Sequence, residues 1–453
     1  MASQTSGGAN TTTEIAYQLK QVYGDMITDL FANHTMTYNQ FIKSNRVASI
    51  RPAGAGYYFS TRQADIESVG GRGEGQYLPE PLKTEGVQGH VTPKAIYASL
   101  RMSGLALEIG KGNTAAFVDS QADATMSAYR ALTVDLNRQC WGDGYGKLAT
   151  LSKASDALDT NSSWTVTCSN DVGVRYLRKG MIVDFYTSSG SIDQSACAQR
   201  IKSVNPTNKT IEMEYCAAGA SASSYQAYHP ITAARTYTIA TDTVASGSQI
   251  VRYGARDASF TTADTSYEVT GMDGLFDDGS LIAAFEGITI TADPEFKANI
   301  MSNSTVNREL SIDLMLAAMD LVPARSSATV DTIWMGLGQR RKYFGLLAND
   351  VRYTPGQFIG GYERLAFAQN GQINIIFDPM CQANKIYFAP INAIKRYELT
   401  PIGWGGFDPN KMHWRQDYDE ASMFLRTYTQ LGVENRRALC VLKDLVEPSS
   451  APF

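Results

Sequence analysis

The sequence has few histidines and no clustered cysteines, which limits the metal and redox chemistry that it can support. Only four histidines occur among 453 residues, and none pairs with another at helical spacing. The six cysteines include no C-x-x-C pair. A zinc site is therefore not expected, and the cysteines are typical of reduced, mostly buried thiols of a cytoplasmic product. A disulfide among Cys168, Cys197 and Cys216, which fall in one segment, stays open.

The chain also lacks a basic surplus. Its 40 lysine and arginine residues stand against 45 aspartate and glutamate residues, a formal net charge of -5. Proteins that bind nucleic acid through its backbone usually carry positive charge in excess, because neutralising phosphates drives that binding. The charge argues against a regulator or a nuclease, and it is compatible with a container through which DNA slides without adhering.

Targeting and membrane signals are missing too. The first ten residues are polar and small, and no apolar run reaches the length of a membrane span. We therefore expect neither a signal peptide nor a membrane partner.

The common catalytic and cofactor-binding motifs do not occur. The glycine cluster Gly70, Gly71, Arg72, Gly73, Glu74 and Gly75 fails the dinucleotide-binding fingerprint, because Gln76 takes the third glycine position and prolines follow. Gly110-Lys111-Gly112 lacks the hydroxyl residue of a phosphate-binding loop. No G-x-S-x-G elbow or H-E-x-x-H motif is found. The sequence therefore predicts no enzyme and no cofactor, and the glycine cluster is interpreted as a flexible loop tip.

Two further groups of side chains could each be a ligand-binding site or an ordinary structural feature. Three aspartates, Asp273, Asp277 and Asp278, miss the spacing of an EF-hand, so a solvated turn is favoured over a Ca²⁺ site. Four aromatic residues near the end could form a platform for sugars or bases, although burial or a subunit contact is favoured. These aromatic residues are Trp404, Trp414, Tyr418 and Tyr428.

What the chain contains is enough apolar material for two or three compact units. Hydrophobic residues make up 43% of it and charged residues 19%, so sizeable cores can form. The 24 tyrosines, 17 phenylalanines and 38 glycines shift the balance towards strands and turns. The expected class is α+β.

The first ninety residues predict extended structure. Residues 1–13 have a flexible composition, and residues 14–45 begin with apolar positions at helical spacing. Tyr57-Tyr58-Phe59 indicates a strand, the glycine cluster a tip, and residues 87–91 a return strand. Such a long hairpin buries little of itself, so we expect it to lie on another molecule.

A long helix is predicted over residues 114–141. At 1.5 Å per residue it would span about 40 Å. Gly142 is expected to end it in a left-handed conformation. One face of this helix is a candidate contact surface, and it carries Val118, Ala122, Met126, Tyr129, Leu132 and Leu136. The preceding stretch, residues 96–109, is predicted mostly helical, or as a strand that passes into a helix.

The rest of the chain alternates strands and helices. Residues 160–258 predict a β-rich module inserted into a mixed host, loosely similar to a compact barrel. Helices are predicted over Glu309–Leu321 and Gln339–Leu347. Strands are predicted over Thr332–Met335, Ile373–Phe377, Lys385–Phe388, Ser422–Gln430 and Arg437–Leu442, the last two around a turn at Gly432.

The order of these elements resembles that in the tailed-phage major capsid proteins of the Hong Kong 97 type. The segment from Asp417 to Ala438 is the most similar to that family in its pattern of residues. The resemblance implies an α+β capsid fold with an amino-terminal arm, an extended loop, a peripheral domain with a spine helix, an axial domain and an inserted β-rich domain. The implied boundaries are 1–45 for the arm, 46–92 for the extended loop, 93–159 for the peripheral domain with its spine helix at 114–141, 160–258 for the inserted domain, 259–324 for a connecting peripheral segment, 325–400 for the axial domain and 401–453 for strands that return to the peripheral domain.

The resemblance also implies a function and partners. The chain would self-assemble as hexamers and pentamers into the icosahedral head shell of a virion, built in the host bacterial cytoplasm around double-stranded DNA that it does not read. Portal protein, a separate scaffolding protein and a decoration protein on the inserted domain would be its partners. The interface candidates are the tip residues 70–75 and the spine-helix face. Cross-linking through the loop is not expected, because residues 60–80 contain no lysine and Lys83 lies at its base.

Three alternatives remain. An encapsulin-like nanocompartment shell would share the fold and carry cargo enzymes. A tail or baseplate protein would combine β modules without an isolated long helix. A carbohydrate-active enzyme would need a carboxylate pair such as Asp417 and Asp419.

Overall fold

The structure is a computed structural model that describes most of the chain. The described residues are 36–51, 54–65, 69–77, 79–80, 83–105, 120–155, 163–169, 171–188, 199–214, 244–256, 266–347, 364–367, 371–405, 413–414 and 419–447. Several predicted features lie outside these ranges. They are the helix after residue 14, Val118, Cys197, Cys216, Asp417 of the predicted carboxylate pair and Tyr418 of the four aromatic residues.

The described part contains six α-helices, three short 3-10 helices and 22 strands. The helices are α1 (Met36–Gln40), α2 (Ser120–Gln139), α3 (Asp171–Tyr176), α4 (Met272–Leu275), α5 (Ile312–Arg325) and α6 (Leu337–Leu347). The strands are β1 (Ile42–Lys43), β2 (Ser49–Arg51), β3 (Gly54–Ala64), β4 (Glu85–Val91), β5 (Lys94–Ser103), β6 (Lys147–Thr150), β7 (Trp164–Thr167), β8 (Ile182–Tyr186), β9 (Gln199–Asn205), β10 (Thr210–Met213), β11 (Gln249–Arg252), β12 (Ala284–Phe285), β13 (Ile288–Thr289), β14 (Asn299–Met301), β15 (Thr332–Met335), β16 (Arg364–Phe367), β17 (Gly371–Phe377), β18 (Ile386–Ala389), β19 (Ile394–Trp404), β20 (His413–Trp414), β21 (Glu420–Val433) and β22 (Cys440–Leu442).

The first sheet is organised by β21, a strand of 14 residues. It pairs with β19 on one side and with β5 on the other, both antiparallel. Along β21 the side chains of Leu425, Thr427 and Thr429 are buried, and those between them are half-buried. This alternation is what a sheet with one covered face requires. Helix α2 packs on β5 from the covered side.

The second sheet has the order β14-β22-β18-β15-β17-β16. Its central strands β15, β18 and β22 are buried along their whole length. Continuous apolar runs such as Ile386-Tyr387-Phe388-Ala389 suit strands that are covered on both faces. Helix α5 covers one face, with Met315, Ala318 and Val322 in the same apolar core.

The third sheet forms a small barrel with its own core. Its strand order is β6-β11-β8-β9-β10-β7. A bridge between Leu151 and Cys168 joins the ends of β6 and β7 and so closes the sheet. Trp164, Phe185 and Ile211 are among the buried residues at its centre. The strands include Lys147–Thr150, which lie before the predicted module boundary at residue 160.

The extended hairpin consists of β3 and β4, paired from Tyr57↔Val91 to Ala64↔Glu85. The predicted strand at Tyr57-Tyr58-Phe59 and the return strand are thus confirmed. Near its base, Tyr57, Phe59 and Val91 are part of the main core, whereas the tip extends away from it.

Several local predictions were wrong. The mostly helical alternative for residues 96–109 was wrong; Lys94–Ser103 form a strand, as in the other alternative, because they pair along ten positions with β21. Gly432 lies inside β21 and not in a turn. The long helix does not end on a left-handed Gly142; the nearby glycines with positive φ are Gly144 and Gly146.

Other predictions are confirmed, with shifted bounds. The helix predicted from Glu309 begins at Ile312, where the Ser311 side chain accepts a hydrogen bond from the Leu314 amide. The strand over Thr332–Met335 is reproduced without change. Cys140, Cys168, Cys381 and Cys440 are buried free thiols, as expected. In the part of the chain that the structure covers, no helix combines the length and apolarity needed to cross a membrane.

Candidate interaction surfaces

The hairpin tip, residues 69–77, is exposed at every position. It contains all six predicted tip residues. Gly75 has φ +78°, and the Gln76 amide donates to the Gly73 carbonyl at 3.1 Å. A side chain at Gly71 or Gly75 would meet nothing within 4 Å. The tip is therefore a tight turn. At Gly71 and Gly75 no other described residue lies close enough to contact an added side chain.

Two large apolar side chains on this tip were not singled out from the sequence. Val69 is 94% exposed and Tyr77 is 96% exposed. They flank the glycines on both sides. Apolar side chains presented together on a projecting element are typical of a contact surface.

The base of the hairpin is fixed by close aromatic packing. The Phe59 ring lies 6.4 Å from the Phe296 ring, and the Tyr57 ring lies 5.1 Å from the Tyr397 ring. A Cβ atom on Gly89 would come within 2.5 Å of the Phe59 ring. Glycine is therefore needed there for the ring to lie flat on the strand.

Glu434 joins the hairpin base to two other elements. Its carboxylate accepts two hydrogen bonds of 2.8 Å from Arg46, and one each from Lys395 and Tyr397 at 3.2 Å. Its backbone carbonyl accepts a hydrogen bond from the Thr61 hydroxyl at 3.0 Å. The hydrogen bonds from Arg46 lower the pKa of Glu434 to about 2.

Glu286 forms a second attachment. It occupies the turn between β12 and β13 with φ +51°. Its backbone carbonyl accepts from the His90 amide at 2.8 Å, and its Oε1 atom accepts from the Val433 amide at 3.0 Å. Its Oε2 atom is buried without a partner among the described residues. Burial raises the pKa of Glu286 well above its usual range.

Arg436 stabilises the same region from within. It is fully buried and donates to the carbonyls of Leu275 at 3.0 Å, Gly274 at 3.2 Å and Asp277. The guanidinium carbon lies 4.2 Å from the centre of the Phe285 ring. Burial lowers the pKa of Arg436 to about 10.

Helix α1, which lies within the residues predicted to form the amino-terminal arm, is held by a buried polar network. The Asn137 side chain accepts from the amides of Thr37 at 3.1 Å and Tyr38 at 3.3 Å. It donates to Asp378 at 3.2 Å, and Asp378 also accepts from the Thr37 hydroxyl. These residues come from α1, α2 and the turn after β17, so the network joins α1 to α2 and to the second sheet.

The predicted helix face divides into two halves. Leu132 and Leu136 are 3% and 1% exposed, whereas Met126 and Tyr129 are 51% and 45% exposed. Val118 lies outside the described residues, as does the side chain of Ala122. On this face, the carboxyl-terminal half of α2 is therefore core, and the other half presents Met126 and Tyr129 to solvent in a single copy.

Two of the predicted aspartates, Asp273 and Asp277, have structural roles. Asp273 pairs with Lys385, and Asp277 accepts amide hydrogen bonds from Gly279, Leu281 and Ile282 at 2.9, 3.0 and 3.0 Å. No group of three or more potential metal ligands occurs in the described ranges. Trp414 is 58% exposed, and Tyr428 packs edge-on against Tyr97.

Comparison with known proteins identifies the fold. No protein-family model matches the sequence, and no curated protein matches it. The chain is similar to a chain of the cyanophage A-1(L) capsid asymmetric unit, with a TM-score of 0.52, 12% identity and coverage of 96% of this chain and 98% of that one. It therefore has the capsid fold that the resemblance predicted.

Two further solved structures are similar over the same length. A chain from the capsid of a native GTA particle gives a TM-score of 0.44 at 8% identity, with 97% of this chain and 99% of that one covered. A chain from Mycobacterium phage Bobi gives a TM-score of 0.43 at 8% identity, with 96% of this chain and 99% of that one covered.

Proposed function

We propose that this chain is the major capsid protein of a tailed bacteriophage, a shell subunit without catalytic activity. The observation that carries the proposal is the capsid fold shared over 96% of the chain. In this proposal the subunit forms hexamers and pentamers, and these close into an icosahedral shell around double-stranded DNA in the host cytoplasm.

The elements take the following roles in the proposal. Residues 1–45 are the arm, 46–92 the extended loop, and 93–159 and 259–324 the peripheral domain. The barrel is the inserted domain and the site for a decoration protein; it consists of strands within 160–258 together with β6 at Lys147–Thr150. Residues 325–400 form the axial domain, and 401–453 return to the peripheral domain. Scaffolding and portal proteins are the remaining partners.

The exposed apolar side chains support this assignment. Val69 and Tyr77 at the tip, and Met126 and Tyr129 on α2, are exposed in a single copy. Burying such a side chain on a neighbour contributes about 1.5–3 kcal/mol. Each contact is weak alone, and a closed shell repeats it many times.

Glycines 70, 71, 73 and 75 would let the tip change its path without moving the hairpin base. The base is fixed by Phe59, Glu286 and Glu434, so a rigid-body rotation of the subunit would carry the hairpin with it. The tip would then adjust by backbone rotation.

Negative-stain electron microscopy of the protein, alone and with its candidate scaffolding partner, tests the proposal. We expect closed shells or capsomers. The double variant Val69→Asp and Tyr77→Asp should remain small, and the control Val306→Asp should assemble, since Val306 is 63% exposed and distant in sequence from the tip. A monodisperse monomer in both conditions would refute the proposal.

A further inference from the structure

Met126 and Tyr129 lie on the same side of α2 as Asn137, the residue that holds helix α1. Met126, Tyr129, Thr133 and Asn137 each lie three or four residues from the next, so they form one stripe along the helix surface, which we call the α2 stripe. Asn137 at its carboxyl-terminal end is fully buried, whereas Met126 and Tyr129 at the other end are 51% and 45% exposed. The exposed apolar pair therefore continues a surface that already binds another part of the chain.

The chain meets this stripe where its described residues begin. The amides of Thr37 and Tyr38 donate to the Asn137 side chain at 3.1 and 3.3 Å, so α1 is attached at the buried end. At a rise of about 1.5 Å per residue, Met126 lies about 16 Å further along α2. The residues that precede α1 are thus tethered beside the exposed end, and a tethered segment meets a surface at a high effective concentration.

The segment from residue 14 to residue 30 has the apolar pattern that suits such a surface. Its periodic apolar residues are Ile15, Leu19, Val22, Met26 and Leu30. Their three- and four-residue spacing predicts a helix with one apolar face. A single helix of this length is marginal in water, and Gly24 in its interior weakens it further. Such a helix therefore depends on a surface that covers its apolar face.

The lengths of the two elements match. Residues 14–30 would span about 25 Å as a helix, and Ser120–Thr133 of α2 spans about 20 Å. The residues between Leu30 and Met36 extend over at most about 20 Å. Leu30 can therefore lie beside any position of the α2 stripe.

We propose that residues 14–30 form a helix on the exposed end of the α2 stripe of the same subunit, with their apolar face over Met126 and Tyr129. A second copy would have to compete for this surface at its bulk concentration, whereas the chain's own segment is held next to it by Asn137. Val69 and Tyr77 at the hairpin tip would then be the apolar pair that remains for a neighbour. The proposal refines the shell function and does not rest on it, because the contact lies within one subunit.

Hydrogen exchange measured by mass spectrometry on the unassembled full-length protein tests this contact. We expect the amides of residues 15–30 to exchange at least about tenfold more slowly than in a free peptide of residues 14–30. The double variant Met126→Asp and Tyr129→Asp should remove that protection, and it should keep the fold because both side chains are exposed. Ala131 is exposed on another side of α2, so Ala131→Asp is the control and should keep the protection.

Cysteine trapping distinguishes the chain's own segment from that of a second copy. Met126→Cys is combined in turn with Leu19→Cys, Val22→Cys and Met26→Cys, and with Gln21→Cys on the polar side of the predicted helix as the control. We expect one or more of the first three pairs to form an intramolecular disulfide, identified by peptide mapping, with a yield that does not change on dilution.

Three results would overturn the proposal. They are exchange of residues 15–30 at the rate of the free peptide, protection that survives the double aspartate variant, and disulfide-linked dimers in place of the intramolecular bond. A protein that forms no shells would refute the shell function and leave these readouts unchanged, so the two proposals can fail separately.

Discussion

The Oε1 atom of Glu286 lies 2.6 Å from the place that a Cβ atom on Gly432 would occupy. The same Cβ position is 2.8 Å from the Tyr397 ring and 2.9 Å from the Val91 side chain. Gly432 is thus the point where the hairpin base, the β12–β13 turn and β19 all approach β21. Its missing side chain lets these elements meet.

Replacing Gly432 by alanine should therefore overpack this junction. We expect Gly432→Ala to destabilise the fold by about 1–3 kcal/mol, seen as a lower thermal unfolding midpoint. The matched control is Gly345→Ala in α6, where a Cβ atom would meet nothing within 4 Å. That variant should be neutral or slightly stabilising. Equal loss in both would contradict the steric explanation.

Glu286 should make the fold less stable as the pH rises. Its pKa in the folded chain is raised by burial above the ordinary value of 4.5. The folded state therefore favours the protonated carboxyl. The contribution of this carboxyl to the free energy of unfolding is fully present below pH 4.5 and is lost as the pH rises through the raised pKa. Glu286→Gln resembles the protonated form and should remove this loss in melting curves recorded from pH 4 to 8. The exposed control Glu309→Gln should keep it.

Glu434 should act in the opposite direction. Arg46 lowers its pKa to about 2 from an ordinary value of 4.5. Its contribution is present above pH 4.5 and lost as the pH falls towards 2. We expect Glu434→Gln to flatten the acid limb of the stability profile and to expose the hairpin base to limited proteolysis at neutral pH. Glu74→Gln at the tip is the control and should leave the acid limb unchanged. An unchanged acid limb in Glu434→Gln as well would show that the Glu434 carboxylate does not hold the hairpin base.

The buried guanidinium of Arg436 should contribute more to the free energy of unfolding than the exposed guanidinium of Arg437. Arg436→Met would leave the carbonyls of Gly274, Leu275 and Asp277 without donors, so we expect a loss of about 3 kcal/mol or more. Arg437 is 38% exposed, and Arg437→Met should cost about 1 kcal/mol or less. Denaturant unfolding of both variants gives the comparison, and similar losses would count against the carbonyl network.

Asn137 should control how firmly the arm is attached. Asn137→Ala removes the acceptor for two arm amides and a donor to Asp378. We expect hydrogen exchange at Thr37 and Tyr38 to accelerate by at least tenfold, with the rest of α2 nearly unchanged. Thr133→Ala, on the exposed side of the same helix, is the control. Unaltered exchange in the arm would mean that Phe41 and Tyr38 packing holds it without the network.

Strong apolar patterns were predictable from the sequence, and close approaches between distant residues were not. Thr332–Met335 contains the apolar run Ile333-Trp334-Met335, and it forms a central strand as predicted. Residues 94–103 carry apolar side chains that fit a helix as well as a strand, and only pairing with β21 decides between them. Gly432 was predicted to lie in a turn, because glycine is common in turns. A sequence alone does not distinguish a glycine that lets the chain bend from one that makes room for a neighbouring side chain.

The position of the hairpin tip was predicted from the sequence, and the apolar side chains beside it were not. The glycines of the tip marked where the hairpin turns, and the structure places them there. Val69 and Tyr77 were passed over, since an apolar residue in a sequence is expected to be buried by default. Glu286 and Arg436 became visible only once residues some 150 positions apart were brought together, as in the hydrogen bond from Val433 to Glu286.

The chain runs into the barrel along β6 and back out along β11, and these two strands are paired neighbours. The cut ends would therefore lie about 5 Å apart if everything between them were removed. A short linker could join them, and a foreign domain with adjacent termini could replace them. Recombination could exchange this segment of the gene as a unit, and the same junction offers a place to display an unrelated protein while the two large sheets stay intact.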